Sequence, residues 1–143
     1  MDDMPEQMGK RIIAPVGLAQ PRGFNHGIVT SGGRILWLAG QDASDAEGRI
    51  VSPGDLVAQL DQALHNLHAV AHEAGGQMTD IVKLTIFVAD RDDYLAKRRE
   101  LGLIWRRYFD DYYPALALFE VAGFFQPDAL VEVEGVAVLP DDA

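Results

Sequence analysis

The chain has 143 residues, with 12 Lys and Arg against 22 Asp and Glu, and a formal net charge of −10 at pH 7. One domain, residues 1–143, suits this length and can bury about two-thirds of its unfolded surface without covalent staples. The acidic balance opposes a phosphate backbone, the lack of cysteine excludes disulfides and thiolate ligands, and no apolar stretch approaches a membrane span. The expectations are a cytoplasmic protein with neither nucleic acid nor membrane as partner.

Residues 1–9 are polar and acidic and read as a frayed end, as do 141–143. Short apolar or alternating runs mark strands at about Arg11 to Ala14, Gly27 to Ser31 and Arg34 to Gly40, and Gly32-Gly33 reads as a tight hairpin turn between the second and third. Ser52-Pro53-Gly54-Asp55 supplies start signals for a helix. Its Leu56, Leu60, Ala63, Leu64, Leu67, Val70, Ala71 and Ala74 recur at helical spacing until Gly75-Gly76 ends it. A fourth strand follows at Asp80 to Ala89. A second helix opens on Asp92-Asp93, buries Tyr94, Leu95, Ile104 or Trp105, Tyr108 and Phe109, and ends before Pro114. Strands at Ala115 to Ala122 and Ala129 to Leu139 complete the set.

On the last strand Val131, Val133, Ala137 and Leu139 share a face that reads as core, while Leu130, Glu132, Glu134, Val136 and Val138 share the other. An ionised carboxylate among aliphatic neighbours costs on the order of several kcal/mol unless it is paired, hydrogen-bonded or wet. Glu132 and Glu134 are therefore either functional groups or members of a structural ion pair, with Lys83 as the available cation. The middle strands are apolar on both faces: Leu36, Leu38, Leu84, Ile86 and Val88 on one, Ile35, Trp37, Ile81 and Phe87 on the other. Two helices cover only one face of such a sheet, so the other is expected to meet another protein.

Three further features do not read as metal, RNA or phosphate sites. Asp61, His65, His68 and His72 fall on one helical stripe, but it lies opposite the apolar face, and no metal is expected there. The basic residues Lys97-Arg98-Arg99 and Arg106-Arg107 read as a solvated helical face rather than an RNA contact. Gly40-Gln41 lacks the glycine spacing and lysine of a phosphate loop, and Gly40 reads instead as permitting close approach of a ligand or neighbouring strand.

The run Pro114-Ala115 through Glu120-Val121-Ala122-Gly123, then Pro127 and Ala129-Leu130-Val131-Glu132-Val133-Glu134-Gly135-Val136-Ala137, resembles the end of the reactive-intermediate deaminase family, RidA or YjgF. The match extends back through Ile13-Ala14-Pro15, Gly23 to Val29, Leu38-Ala39-Gly40-Gln41, the helix from Gln59 to Gly75, Asp80 to Val88, and Asp92-Asp93-Tyr94. The resemblance implies an α+β fold: a six-stranded mixed β-sheet with two helices packed on one face, as in chorismate mutase-like proteins. It also implies a homotrimer with a central barrel and small-molecule ligand pockets in the clefts between subunits. The second helix is about four residues longer than the family's, close to one turn, which is expected to lengthen the helix rather than break the fold.

The activity implied is hydrolysis of enamines and imines to a carbonyl compound and ammonia. That chemistry needs a positioned water, a proton donor or acceptor and a hold on the substrate, with no cofactor or metal. Glu132 matches the family's water-orienting glutamate, whereas Phe24 stands at its substrate-contacting tyrosine, Leu116 at its carboxylate-binding arginine and Leu118 at a neighbouring small polar position. An aliphatic side chain in place of a bidentate clamp removes the basis for holding the usual amino-acid-derived imines. The expected site is an apolar cleft lined by Phe24, Leu116 and Leu118, with Gly40 beside it and Glu132 as a general acid or base whose pKa is raised by desolvation. Arg22 and His26, flanking Phe24, are further substrate-binding candidates. The alternative is a noncatalytic trimer that binds a small apolar metabolite or a protein partner in the same clefts.

Overall fold

The computed structural model describes residues 9–141. Its strands are β1 (Arg11–Ile13), β2 (Gly27–Val29), β3 (Arg34–Gln41), β4 (Ile81–Val88), β5 (Ala115–Glu120) and β6 (Val131–Leu139). The helices are α1 (Leu56–Glu73), α2 (Arg91–Ala96) and α3 (Arg98–Phe109), with a single 3-10 turn at Met78–Asp80. The expected frayed ends fall, apart from Gly9 and Asp141, outside the described residues.

The fold is α+β with a mixed sheet. Four strands lie in the order β3-β6-β4-β5; β6 is antiparallel to both neighbours and β5 is parallel to β4. A parallel pair needs a long crossover, and α2 and α3 provide it. Helix α1 starts where the Asp55 carboxylate accepts a hydrogen bond from the Ala58 amide at 3.0 Å. Its Leu56, Leu60, Ala63, Leu64, Leu67 and Ala71 are buried with Leu84, Ile86, Val88, Val131, Val133 and Ala137 of the sheet. Helix α3 buries Leu101, Ile104, Trp105 and Phe109, and the Trp105 and Phe109 rings stack with centroids 3.9 Å apart.

Gln59 is wholly buried in this apolar layer (0 % exposed). Its amide nitrogen donates to the carbonyls of Ser52 and Asp128, each at 3.1 Å, and its oxygen accepts from the Leu130 amide at 2.9 Å. One side chain thus joins α1 to the loop before it and to the chain entering β6. Buried polar groups are retained when their hydrogen-bonding capacity is met.

Several details differ from expectation. The six strands are present, but β1 and β2 pair with each other as a separate ribbon, attached to the four-stranded sheet through an Asn25–Ala115 bridge. Gly32-Gly33 is a turn but not a hairpin, since β2 pairs with β1 and β3 pairs with β6. Both glycines have positive φ, and the turn is held by the far end of β6, where the Asp141 carboxylate accepts from the Gly33 amide at 3.0 Å. The second helix is broken: Lys97, at φ −111° and ψ 19°, separates α2 from α3. It opens one step earlier than expected, with the Asp90 carboxylate accepting from the amides of Asp92 and Asp93. Leu95 is exposed, and Leu101 takes the buried place instead. Ile81 belongs to the core rather than to the face of Phe87, because the β4–β6 register shifts between Ile81 and Lys83 and inverts the alternation there.

The sheet face away from the helices carries Trp37 (73 % exposed), Ile35 (59 %) and Phe119 (53 %). These are large apolar side chains concentrated on one surface. Among the described residues no helix is long and apolar enough to cross a membrane.

Candidate functional site

A cleft of about 590 Å3 opens between β5, α2, α3 and the loop before β2. Leu116 and Leu118 reach it because they stand in register with Leu84 and Ile86, two core residues of β4, and so point to the helical side of the sheet. Phe24 and Arg22 come from the loop. That loop is fixed at Asn25, whose amide donates to the Pro114 carbonyl at 3.0 Å while its side-chain nitrogen donates to the Tyr113 carbonyl at 2.6 Å. Tyr94, Trp105 and Tyr113 add aromatic wall, and the Trp105 and Tyr113 rings stack at 5.6 Å.

Four of the residues expected at the site, Arg22, Phe24, Leu116 and Leu118, therefore line one cavity. His26 does not line it. Its ring meets Phe24 edge-on at 5.2 Å and its Nε2 lies 2.8 Å from the Ala19 carbonyl, so it holds its own loop.

Glu132 and Gly40 form a second group on the other face of the sheet. Glu132 is in register with Phe87, whose neighbour Ile86 points to the core, and Phe87 stacks on Phe119 at 6.3 Å. The Glu132 side chain lies against the Gly40 backbone, close to an irregularity in the β3–β6 register between Leu38 and Gln41. A Cβ on Gly40 would stand 3.0 Å from Glu132 Cδ and would overlap Oε2. Burial lifts the Glu132 carboxyl above its ordinary value, with the charges of Asp42 and Glu134 acting in the same direction. Among the described residues neither Glu132 nor Glu134 forms an ion pair with Lys83. Within one chain Glu132 and Leu116 do not share a cavity, so the single cleft expected to hold both is not found in the isolated chain.

Gly40→Ala tests the contact directly. The methyl group must displace the Glu132 carboxylate or shift β3. The expected result is a loss of about 1–3 kcal/mol in chemical denaturation, the usual range for an overpacked position, together with reduced activity. A variant of native stability would show that the carboxylate moves aside freely.

Sequence reasoning missed Arg98 and Arg106. Read as part of a solvated basic face, both in fact line the cleft. The signal was present, since Arg98, Leu101, Gly102, Trp105 and Arg106 recur at three- and four-residue steps and so share a stripe with apolar residues. Two neighbours do follow the solvated reading: Lys97 pairs with Asp93 at 2.6 Å and Arg107 with Asp61 at 3.2 Å. Glu120 has a structural task, its Oε1 accepting from the Arg91 amide at 2.8 Å where α2 begins. Asp61 accepts from the Tyr108 hydroxyl at 2.6 Å, while His68 and His72 stack at 5.9 Å. Among the described residues no group of three or more His, Cys, Asp and Glu is placed to hold a metal ion.

The family model described as endoribonuclease L-PSP matches residues 17–139. A RutC family protein of Synechocystis is 38 % identical over 136 residues, which cover 93 % of this chain and 99 % of that protein. A 2-iminobutanoate/2-iminopropanoate deaminase of Capra hircus is 34 % identical over 106 residues, covering 73 % of each chain. Among solved structures, a protein of unknown function of the conserved Rid family from Yersinia pestis superposes with a TM-score of 0.81 at 33 % identity, covering 92 % of this chain and 100 % of that one.

Proposed function

The chain belongs to the endoribonuclease L-PSP family, that of the RidA and YjgF proteins, and from that premise we propose that it hydrolyses a small reactive imine or enamine in a cleft shared between copies of the chain. An enamine first moves a proton from nitrogen to its β-carbon to become the imine; water then adds to the carbon of the C=N bond, one of its protons passing to nitrogen, and the C–N bond breaks as the new hydroxyl gives up the other, leaving a carbonyl compound and ammonia. Glu132 orients the water, takes its proton and returns it to the departing nitrogen. Its raised pKa suits both halves of that exchange.

The observation that carries this reading is the division of the site. Glu132 with Gly40 lies on one sheet face, and Phe24, Leu116 and Leu118 lie on the other side of the same chain. Only a neighbouring copy can bring the two groups together. The exposed Trp37, Ile35 and Phe119 on the Glu132 side supply an apolar surface for that contact, in keeping with the homotrimer that the family resemblance implies. A cytoplasmic setting fits a chain without cysteine. RNA is a poor candidate substrate for a chain of net charge −10. The same division of the site, with no water-activating role for Glu132, leaves a noncatalytic trimer that binds its ligand in the clefts.

The strand arginine of the family is Leu116 here, so short imino acids lose their usual anchor. Ammonia release from 2-iminopropanoate should be slow for the native protein and should rise at least about tenfold in Leu116→Arg, one restored charge-assisted contact being worth about 1.5–3 kcal/mol. Rapid turnover by the native chain, unimproved by the substitution, would overturn the account of Leu116.

A further inference from the structure

We propose that Arg98 and Arg106 of α3 form an anion clamp at the rim of the cleft, selecting an organic carboxylate with an aromatic or branched apolar body. The proposal rests on the deaminase reading only for the carboxylate as the anion. The clamp and the shape of its ligand stand on the cleft itself.

Three observations converge. First, charge is segregated: in a chain with 22 acidic and 12 basic residues, the described lining of this cleft holds Arg22, Arg98 and Arg106 and no acidic side chain. Among the described residues none of the three makes an ion pair, although Lys97 and Arg107 next in sequence do. Arg98 gives its Nε–H to the Leu95 carbonyl at 3.0 Å, which leaves its terminal nitrogens for a ligand, and guanidinium groups left without carboxylates around an apolar hollow suit a planar anion.

Second, the floor is apolar. Leu116, Leu118 and Trp105 line a space of about 590 Å3, within the range that takes a small organic molecule and large for a three-carbon acid. Third, Gly102 sits in mid-helix, where glycine is the poorest residue after proline. A Cβ there would meet nothing within 4 Å. Packing therefore does not require the glycine, and its lack of a side chain keeps the cleft open between the two arginines.

The strand arginine of the family and the helix arginines here approach from different elements. A carboxylate held from α3 places its apolar body against Leu116 and Leu118, where the strand arginine would otherwise stand. This explains how one chain can lose the first clamp and keep an anionic ligand.

The test is calorimetric titration of the native protein with phenylpyruvate, a stable keto-acid probe, beside pyruvate and the uncharged ketone phenylacetone. Phenylpyruvate should bind at least about tenfold more tightly than either, the worth of one charge-assisted contact or one buried ring. Arg98→Ala with Arg106→Ala should remove that preference over phenylacetone while leaving phenylacetone binding unchanged. Gly102→Leu should weaken both aromatic probes at least about tenfold while raising the melting temperature, so lost binding cannot be attributed to misfolding. Equal affinity for phenylpyruvate and phenylacetone, no effect of the double substitution, tight binding retained in Gly102→Leu, or no saturable binding would each overturn the clamp. If the binding pattern holds and no imine is hydrolysed, the deaminase reading fails and the clamp stands.

Discussion

Glu132→Gln should reduce ammonia release from a turned-over imine by about 10²–10⁴-fold, the usual contribution of a positioned general acid or base. The substitution keeps the shape beside Gly40 and removes the titrating group. Stability should move the other way. The folded chain holds the Glu132 proton more tightly than the unfolded chain does, because burial and the nearby Asp42 and Glu134 raise its pKa. This group's contribution to stability is present in full below the unfolded glutamate pKa and is lost as pH rises through the higher folded value. Above that folded value the native chain carries a desolvated charge that glutamine lacks, and there the variant should melt no lower than the parent. Rates across pH, set beside melting curves at pH 4 and pH 7, separate the possibilities. Intact turnover in the variant would exclude the role. A parallel loss of stability at pH 7 would mark Glu132 as a structural group, which is the noncatalytic reading.

Gln59→Leu should lower folding stability by about 2–4 kcal/mol, with urea denaturation as the measurement. The volume is nearly kept, so the loss comes from hydrogen bonding rather than from a cavity. The Leu130 amide and the Asp128 carbonyl lose their side-chain partner, while the Ser52 carbonyl still accepts from the Asp55 amide at 3.1 Å. Two orphaned groups fully cut off from water would cost about 2–6 kcal/mol together, and the half-buried setting of these two hydrogen bonds places the expected loss in the lower part of that range. A loss below about 1 kcal/mol would mean that water replaces the side chain, and the loop entering β6 would not depend on it.

Most elements were legible because their periodicity is simple. The two faces of β6 were read from alternation alone: Val131, Val133, Ala137 and Leu139 are buried, while Glu134 is exposed. The failures fall where a local irregularity overrides a regular period. Ile81 was placed on the wrong face because a register shift in β4 leaves no mark in composition. Gly32-Gly33 carries the sequence of a hairpin turn, yet the partner of β3 lies about a hundred residues away, and local turn chemistry cannot show that. Helices α2 and α3 were read as one because the break at Lys97 contains neither glycine nor proline. The candidate site was legible residue by residue, but not as an arrangement. Which sheet face each residue takes decides that Glu132 and Leu116 lie apart, and the turn of α3 decides that Arg98 and Arg106 face the cleft.

The position of β6 between β3 and β4 bears on how the protein is made. During translation β3 emerges early and waits for its only partner in the four-stranded sheet through some ninety further residues, while β4 and β5 form no more than a parallel pair. A ribosome adding about 5–20 residues per second leaves that strand without its hydrogen-bonding partner for seconds, with only α1 to pack on its inner face. Cotranslational folding cannot proceed here from one end to the other. Closure is a late event in which the arriving β6 zips both halves at once, and a ribosome stalled before residue 131 would hold a nascent chain with β3 unpaired.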